Sequence, residues 1–286
     1  MTVPRRSLDL DDLRSVRTNV MVLGFFGRGN LGDDTYVHLF RRLLPQAELA
    51  SMDEVKDRGL PEHVDVLIVG GGDVINEYFM RPLRDLLARF DGPVFALSVG
   101  IPYDANVAYL ELFDHVIVRS AADYALARRV LPEPNLSLMR DLVWMLKPPI
   151  ALVPRPPIGR AGGVCGFAPA QPLFHRAAAR EALLDGAAEL LRRLAATFDR
   201  VRLLAFNTNA ASPGECDYVA CEELLRRAGP LPNAELARVA PADPGAMQAA
   251  YGELDFLVGM RLHSIVYALV QRVPFVAVSL SRKIAN

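Results

Sequence analysis

The segment Gly259-Met260-Arg261-Leu262-His263-Ser264 sets an arginine and a histidine two positions apart, between an apolar run at 254–258 and a helical pattern that opens on Ser264. Arginine offers a fixed planar fork suited to a carboxylate or a phosphate. Histidine exchanges a proton near neutral pH. At the end of a buried strand both would stand at a helix N-terminus, where backbone N–H groups and the helix dipole favour anions. Arg261 and His263, with Ser264 beside them, are therefore candidates for binding an anionic small molecule and for acid/base chemistry on it. A histidine satisfied by its own surroundings is the plainer alternative.

Two glycine-rich stretches follow strand-like runs earlier in the chain. Gly27-Arg28-Gly29-Asn30-Leu31-Gly32 literally matches G-x-G-x-x-G, and Asp53 stands where a dinucleotide site wants an acidic ribose partner. Against NAD or FAD stand Asp33 and Asp34 in the first turn of the next helix, which satisfy the dipole themselves and would repel a pyrophosphate. A tight turn with aspartate caps is as good a reading. Gly70-Gly71-Gly72-Asp73 closes a strand at 64–69. Such glycines let backbone approach a ligand or form an anion-holding nest, and they line a cleft if the run lies at the carboxyl end of a parallel strand. The alternative is a sharp turn under a helix. Arg119, at the end of a strand at 115–118, repeats the layout of Arg261, as an anion contact or as an ion-pair partner. Asp141 is similarly placed and less telling. His38, His63 and His115 fall on a solvated helix face or at strand starts, whereas His175 lies in a Pro-rich loop.

These side chains need elements to hold them. Strand patterns at 20–24, 64–69, 94–99 and 115–118 alternate with helical ones at 33–44, 82–90 and 120–131, the mark of parallel α/β layers. A stretch dense in Pro and Gly follows, and the alternation restarts with strands at 164–168, 201–206, 254–258 and 275–278 and helices at 176–197, 218–227, 245–251 and 264–272. Two doubly wound domains are expected, 18–147 and 162–286, joined by a linker at 148–161. The chain stops at Asn286 just after a central-type strand, so further covering helices are expected beyond it. A content of 51% hydrophobic and 23% charged residues excludes a disordered chain, and a net charge of -1 disfavours generic nucleic-acid or anionic-membrane binding. No apolar run is long enough to span a bilayer, and the first residues are too charged for a secretory signal. Three cysteines without a C-x-x-C pair indicate neither a disulfide framework nor a zinc or other metal site, so a reducing, cytoplasmic setting is expected.

The ordered set of motifs resembles the polysaccharide pyruvyl transferase family over nearly the whole chain. It comprises the loop at 27–34 (family pattern G-x-G-N-x-G-D-E), the Gly70–Gly72 run, Val118-Arg119-Ser120, and the stretch from Asp255 to Ser264 followed by Val273-Pro274-Phe275-Val276-Ala277. The resemblance implies two Rossmann-like domains similar to the glycosyltransferase B architecture, with the acceptor on the N-terminal side and the donor on the C-terminal side. It implies phosphoenolpyruvate as co-substrate, no further cofactor, and transfer of its pyruvyl carbon to two hydroxyls of a sugar or glycan as a ketal. Carried onto this chain, Arg261 would hold the donor's phosphate or carboxylate and His263 would be the acid/base. Arg119 and Lys283 would add charge. Gly29, Asn30, Gly71, Gly72 and Ser264 would line the substrate, and Asp33, Asp34 and Asp73 would grip acceptor hydroxyls. Where the family often has S-Y-D-P-K-V, this chain reads Ser279-Leu280-Ser281-Arg282-Lys283-Ile284, keeping only the Ser, the Lys and an aliphatic. Two rivals share the architecture: a nucleotide-sugar glycosyltransferase, and a glycan-binding relative that has lost the reaction.

Overall fold

The computed structural model describes residues 18–146, 163–171, 177–239 and 243–279. The chain divides into two units, one holding residues 18–27 with 33–145, the other residues 28–32 with the described residues from Leu146 onward. The linker expected at 148–161 lies outside the described residues.

The first unit is a parallel sheet of six strands. These are β1 (Val20–Gly24), β2 (Glu48–Ser51), β3 (Val66–Gly72), β4 (Val94–Val99), β5 (His115–Val118) and β6 (Leu136–Leu138). Their order is β2-β1-β3-β4-β5-β6. β1 and β3 are buried along their whole length, as strands covered on both faces must be. Helices α1 (Leu31–Leu43), α2 (Met52–Arg58), α3 (Glu77–Arg89) and α4 (Ala121–Ala127) make the crossovers, with a 3₁₀ segment at Asp104–Leu112. The core packs Leu23, Leu67 and Val69 of the sheet against Met80, Leu83 and Leu87 of α3.

The second unit carries β7 (Val164–Ala168), β8 (Arg200–Leu204), β9 (Ala234–Ala237), β10 (Phe256–Gly259) and β11 (Phe275–Ala277), again all parallel. Their order is β11-β10-β7-β8-β9. Helices α5 (Ala177–Thr197), α6 (Asp217–Ala228), α7 (Pro244–Gly252) and α8 (Leu262–Val270) complete it. Its own core joins Phe167, Leu191, Leu203 and Leu224. Each unit is thus a Rossmann-like α/β layer structure of the class expected from the sequence.

In both sheets the chain starts on an interior strand and reverses direction once. The reversal falls between β1 and β3 in the first sheet and between β7 and β10 in the second. Beyond the carboxyl ends of the strands at such a point the loops diverge and leave a crevice, the usual ligand site of open α/β sheets. The glycine loop after β1 and the Gly70–Asp73 run that closes β3 stand at one such point, and Arg261 with His263, after β10, at the other.

Several details depart from the sequence expectations. β3 runs on through Gly70, Gly71 and Gly72 instead of ending before them. α3 begins at Glu77, not at Pro82, because the Asn76 side chain caps it by accepting from Phe79 N–H. α8 begins at Leu262 with Arg261 at its N-cap, so Ser264 is inside the first turn. β2, β6 and β9 were not expected at all.

Candidate functional site

In the first unit, the groups singled out from the sequence are drawn into a buried polar cluster. Arg119 Nη1 donates to Asp141 Oδ2 at 2.8 Å and to Tyr36 Oη at 2.9 Å, and Nη2 donates to Asp73 Oδ1 at 2.5 Å. Tyr36 Oη in turn donates to Asp141 Oδ1 at 2.8 Å. The Arg119 side chain is only 8% exposed, and burial, then the Asp141 carboxylate, holds the Tyr36 hydroxyl well above its ordinary pKa. Both terminal nitrogens of Arg119 are thus engaged in ion pairs. A buried charge so paired is costly to strip of its partners, about 3–5 kcal/mol, so this cluster fixes the carboxyl ends of β3, β5 and β6 relative to one another.

The glycine run serves the same packing. A Cβ on Gly71 would overlap the Tyr36 ring, and one on Gly72 would sit 2.7 Å from Asp33 Oδ1. Gly71 and Gly72 adopt φ of 77° and 89°, a region L side chains avoid. Both are buried beneath α1. Asp34, also buried, accepts from Gly27 N–H at 2.6 Å and closes the turn after β1.

The second unit contains the loop Arg28–Gly32 as well as the segment that follows β10. Gly29 O accepts from Thr208 N–H at 2.7 Å and from Thr208 Oγ1 at 3.0 Å. Leu31 N–H donates to Phe206 O at 2.7 Å, and Asn30 bridges to Asn207. Asn30 Oδ1 also accepts from Gly32 N–H at 3.2 Å, the pattern of a helix N-cap. The loop is therefore stitched along the stretch after β8. The His263 imidazole occupies the space a Cβ on Gly32 would need, with Cε1 2.8 Å and Cγ 2.9 Å from it. No other residue type leaves room for the ring in this position.

Arg261 is the N-cap of α8 and His263 lies in its first turn, just after β10. The Ser264 Oγ donates to Arg261 O at 2.6 Å and fills the space over Gly259. Beneath this turn Phe206, Tyr251 and Tyr267 pack edge to face and tilted, with centroids 5.7–6.3 Å apart. Tyr251 Oη donates to Ser264 O at 2.8 Å. The aromatic base holds the first turn of α8 and the exit of β8 together.

Sequence reasoning missed Asp217. Its side chain is fully buried, and it grips one edge of the Arg261 guanidinium through two nitrogens, Nε to Oδ2 at 3.1 Å and Nη2 to Oδ1 at 2.5 Å. Its Oδ2 also accepts from the N–H groups of Phe206 and Asn207 at 3.2 and 2.9 Å. An acidic residue in the first turn of a helix ordinarily reads as a dipole cap, and its partner lies 44 residues on, so no local signal marked it. Cys165, Cys216 and Cys221 are buried thiols. Burial pushes Cys165 up to about 12, so it has no nucleophilic form at neutral pH. Lys283 and His175 lie outside the described residues. Among the described residues no helix is long and apolar enough to cross a membrane.

No curated protein matches the chain. Among solved structures, that of accessory secretory proteins 1, 2 and 3 of Streptococcus pneumoniae aligns at 12% identity and a TM-score of 0.40, covering 79% of this chain and 42% of that one. The UDP-GlcNAc 2-epimerase of Methanocaldococcus jannaschii aligns at 9% identity and a TM-score of 0.49, covering 91% of this chain and 83% of that one. The present chain thus spans 42% of the length of the first of these structures. Neither likeness bears on activity. The sequence profile of polysaccharide pyruvyl transferases, by contrast, matches residues 11–282. That match takes in the glycine loop, the Gly70–Asp73 run, the Arg119 strand end and the Arg261–His263 turn in one continuous span, and on it the chain belongs to the polysaccharide pyruvyl transferase family.

Proposed function

We propose that the protein is a cytoplasmic transferase that moves the pyruvyl group of phosphoenolpyruvate onto two hydroxyls of a sugar or glycan, forming a cyclic ketal and releasing phosphate. The observation that carries the reading is the pairing of Arg261 with His263 at the start of α8, beyond the switch point of the second sheet, in a chain matched to the family over 11–282. The positive end of α8 favours an anion beside the imidazole, and a bound phosphoenolpyruvate would in turn favour its protonated form.

In this mechanism the His263 imidazolium donates its proton to the donor's methylene carbon, which becomes a methyl group. The adjacent carbon acquires oxocarbenium character and is attacked by one sugar hydroxyl, whose proton returns to the imidazole. The second hydroxyl then displaces the phosphate at the same carbon, its proton leaving with the phosphate, and the ketal ring closes. Arg261 balances the charge on the donor's carboxylate or departing phosphate. Proton donation of this kind contributes roughly 10²–10⁴-fold. Lys283 adds charge to the donor. In the first unit Arg119 orients the Asp73 and Asp141 carboxylates. No organic cofactor is required by this chemistry.

The test is phosphate release from phosphoenolpyruvate in the presence of candidate sugar acceptors. His263→Ala is expected to lower turnover by about 10²–10⁴-fold, and Arg261→Ala to raise the KM for the donor. Full turnover in both variants would remove the assignment.

A further inference from the structure

We infer that Asp217 is the positioning residue of the donor site: it sets the orientation in which Arg261 presents its guanidinium to an anion. The inference rests on the function proposed above. Arg261 is 28% exposed on its side chain, whereas Asp217 beneath it is 0% exposed. The carboxylate occupies Nε and Nη2 of the guanidinium, and Nη2 also reaches Glu215 O at 3.4 Å. What remains for a ligand is the Nη1 edge. The clamp is itself fixed, because Oδ2 is held by the Phe206 and Asn207 N–H groups and Asp217 N–H donates to Asn207 O at 2.6 Å. A long side chain with several rotatable bonds is thereby restricted to one direction before any ligand arrives, so less ordering remains to be done on binding.

The same stretch carries the glycine loop. Phe206 O and Thr208 N–H bond Leu31 and Gly29, and Gly32 at the end of that loop bears the His263 ring. Asp217 thus ties the cation to the backbone that also locates the imidazole. Two opposite outcomes separate positioning from simple charge. If net charge governed the site, removing the carboxylate would tighten anion binding, since a fixed negative charge beside Arg261 would be gone. If orientation governs it, the same change weakens binding.

Asp217→Asn discriminates between them. The amide keeps one oxygen for Arg261 Nε and the Phe206 and Asn207 N–H groups and sets an N–H₂ group against Nη2, so the bidentate grip on Arg261 is broken at Nη2 while the backbone contacts persist. Arg261→Lys, a second variant, retains the charge and cannot be held through two nitrogens at once. Both are expected to raise the KM for phosphoenolpyruvate at least tenfold, with kcat changed less than threefold and the limbs of the pH–rate profile unmoved. In an Arg261→Ala background, Asp217→Asn should have no further effect on the donor KM. A KM unchanged or lowered in Asp217→Asn, or a fall in kcat alone, would overturn the inference. If the wild-type protein neither turns over nor binds phosphoenolpyruvate, the functional reading fails. The clamp is then judged by the Arg261 Nε–H proton, which should exchange slowly in wild type and rapidly in Asp217→Ala, where its acceptor is gone; rapid exchange in both sinks it.

Discussion

A methyl group at position 32 would overlap His263 Nδ1, so the smallest possible change to the glycine loop is a direct test of where the imidazole must be. Gly32 lies in the first turn of α1, where alanine is the better helix former by about 1 kcal/mol. That gain offsets part of an overpacking cost of about 1–3 kcal/mol. Gly32→Ala is therefore expected to fold with a melting temperature within a few degrees of wild type while turnover falls about 100-fold, since a displacement near 1 Å at a reacting group costs that much. Unchanged turnover would mean the ring's present position is not the working one. At this scale the sequence revealed the types of the candidate residues but not their neighbours. Arg261 and His263 stood out because a cation and an imidazole end an apolar run. Asp217 did not, because nothing in Glu215-Cys216-Asp217-Tyr218 distinguishes a clamp from a cap.

At the scale of elements, β1, β4, β5 and β7 were legible to the residue because they are apolar and sharply bounded. The missed strands β2, β6 and β9 are three or four residues long, carry no β-branched side chain, and exist through pairing with a neighbour at or near a sheet edge. Helix α6 is held to α5 by ion pairs of Arg227 with Glu181 and Asp185, while Glu223 is gripped by Arg226 and Arg227 within α6. Hydrogen bonds from Arg226 and then Arg227 hold the Glu223 carboxyl down to about 2. A depressed carboxylate contributes stability at pH values above its unfolded-state pKa, near 4.3, and loses it as pH falls toward the folded value. Glu223→Gln should accordingly be less stable than wild type at pH 6, with the difference shrinking between about pH 4.5 and pH 2. Urea midpoints of the two proteins at pH 6 and pH 3 check it; a difference independent of pH would show that packing, not charge, is at stake.

At the scale of the molecule, the decisive feature is strand order. In each sheet the order reverses next to the first strand, the place where open α/β sheets usually take a ligand, and in the second unit residues distant in sequence meet there: Phe206 and Asn207 with Asp217, Asp217 with Arg261, and His263 with the loop at 28–32. A ligand that binds this native arrangement and not the unfolded chain must stabilise it. Phosphoenolpyruvate at 100 times its dissociation constant should add about 2.7 kcal/mol, read as a raised melting midpoint that is absent in Arg261→Ala. No shift in a folded wild-type sample would count against phosphoenolpyruvate as the donor.

By itself the sequence determined the α/β class, the alternation of elements, and the chemistry available at Arg261 and His263, because hydrophobic periodicity and residue type are local properties. Tertiary structure decided which polar groups are already spent on one another. Arg119, an anion contact or an ion-pair partner on its sequence alone, faces Asp73 and Asp141 across strands β3, β5 and β6. Gly71 and Gly72 meet Tyr36 and Asp33 of α1. Arg261 meets Asp217, and His263 meets Gly32. These pairings depend on strand order and on burial, which withdraws water and makes every buried charge find a partner, and neither is written in any local stretch of the chain.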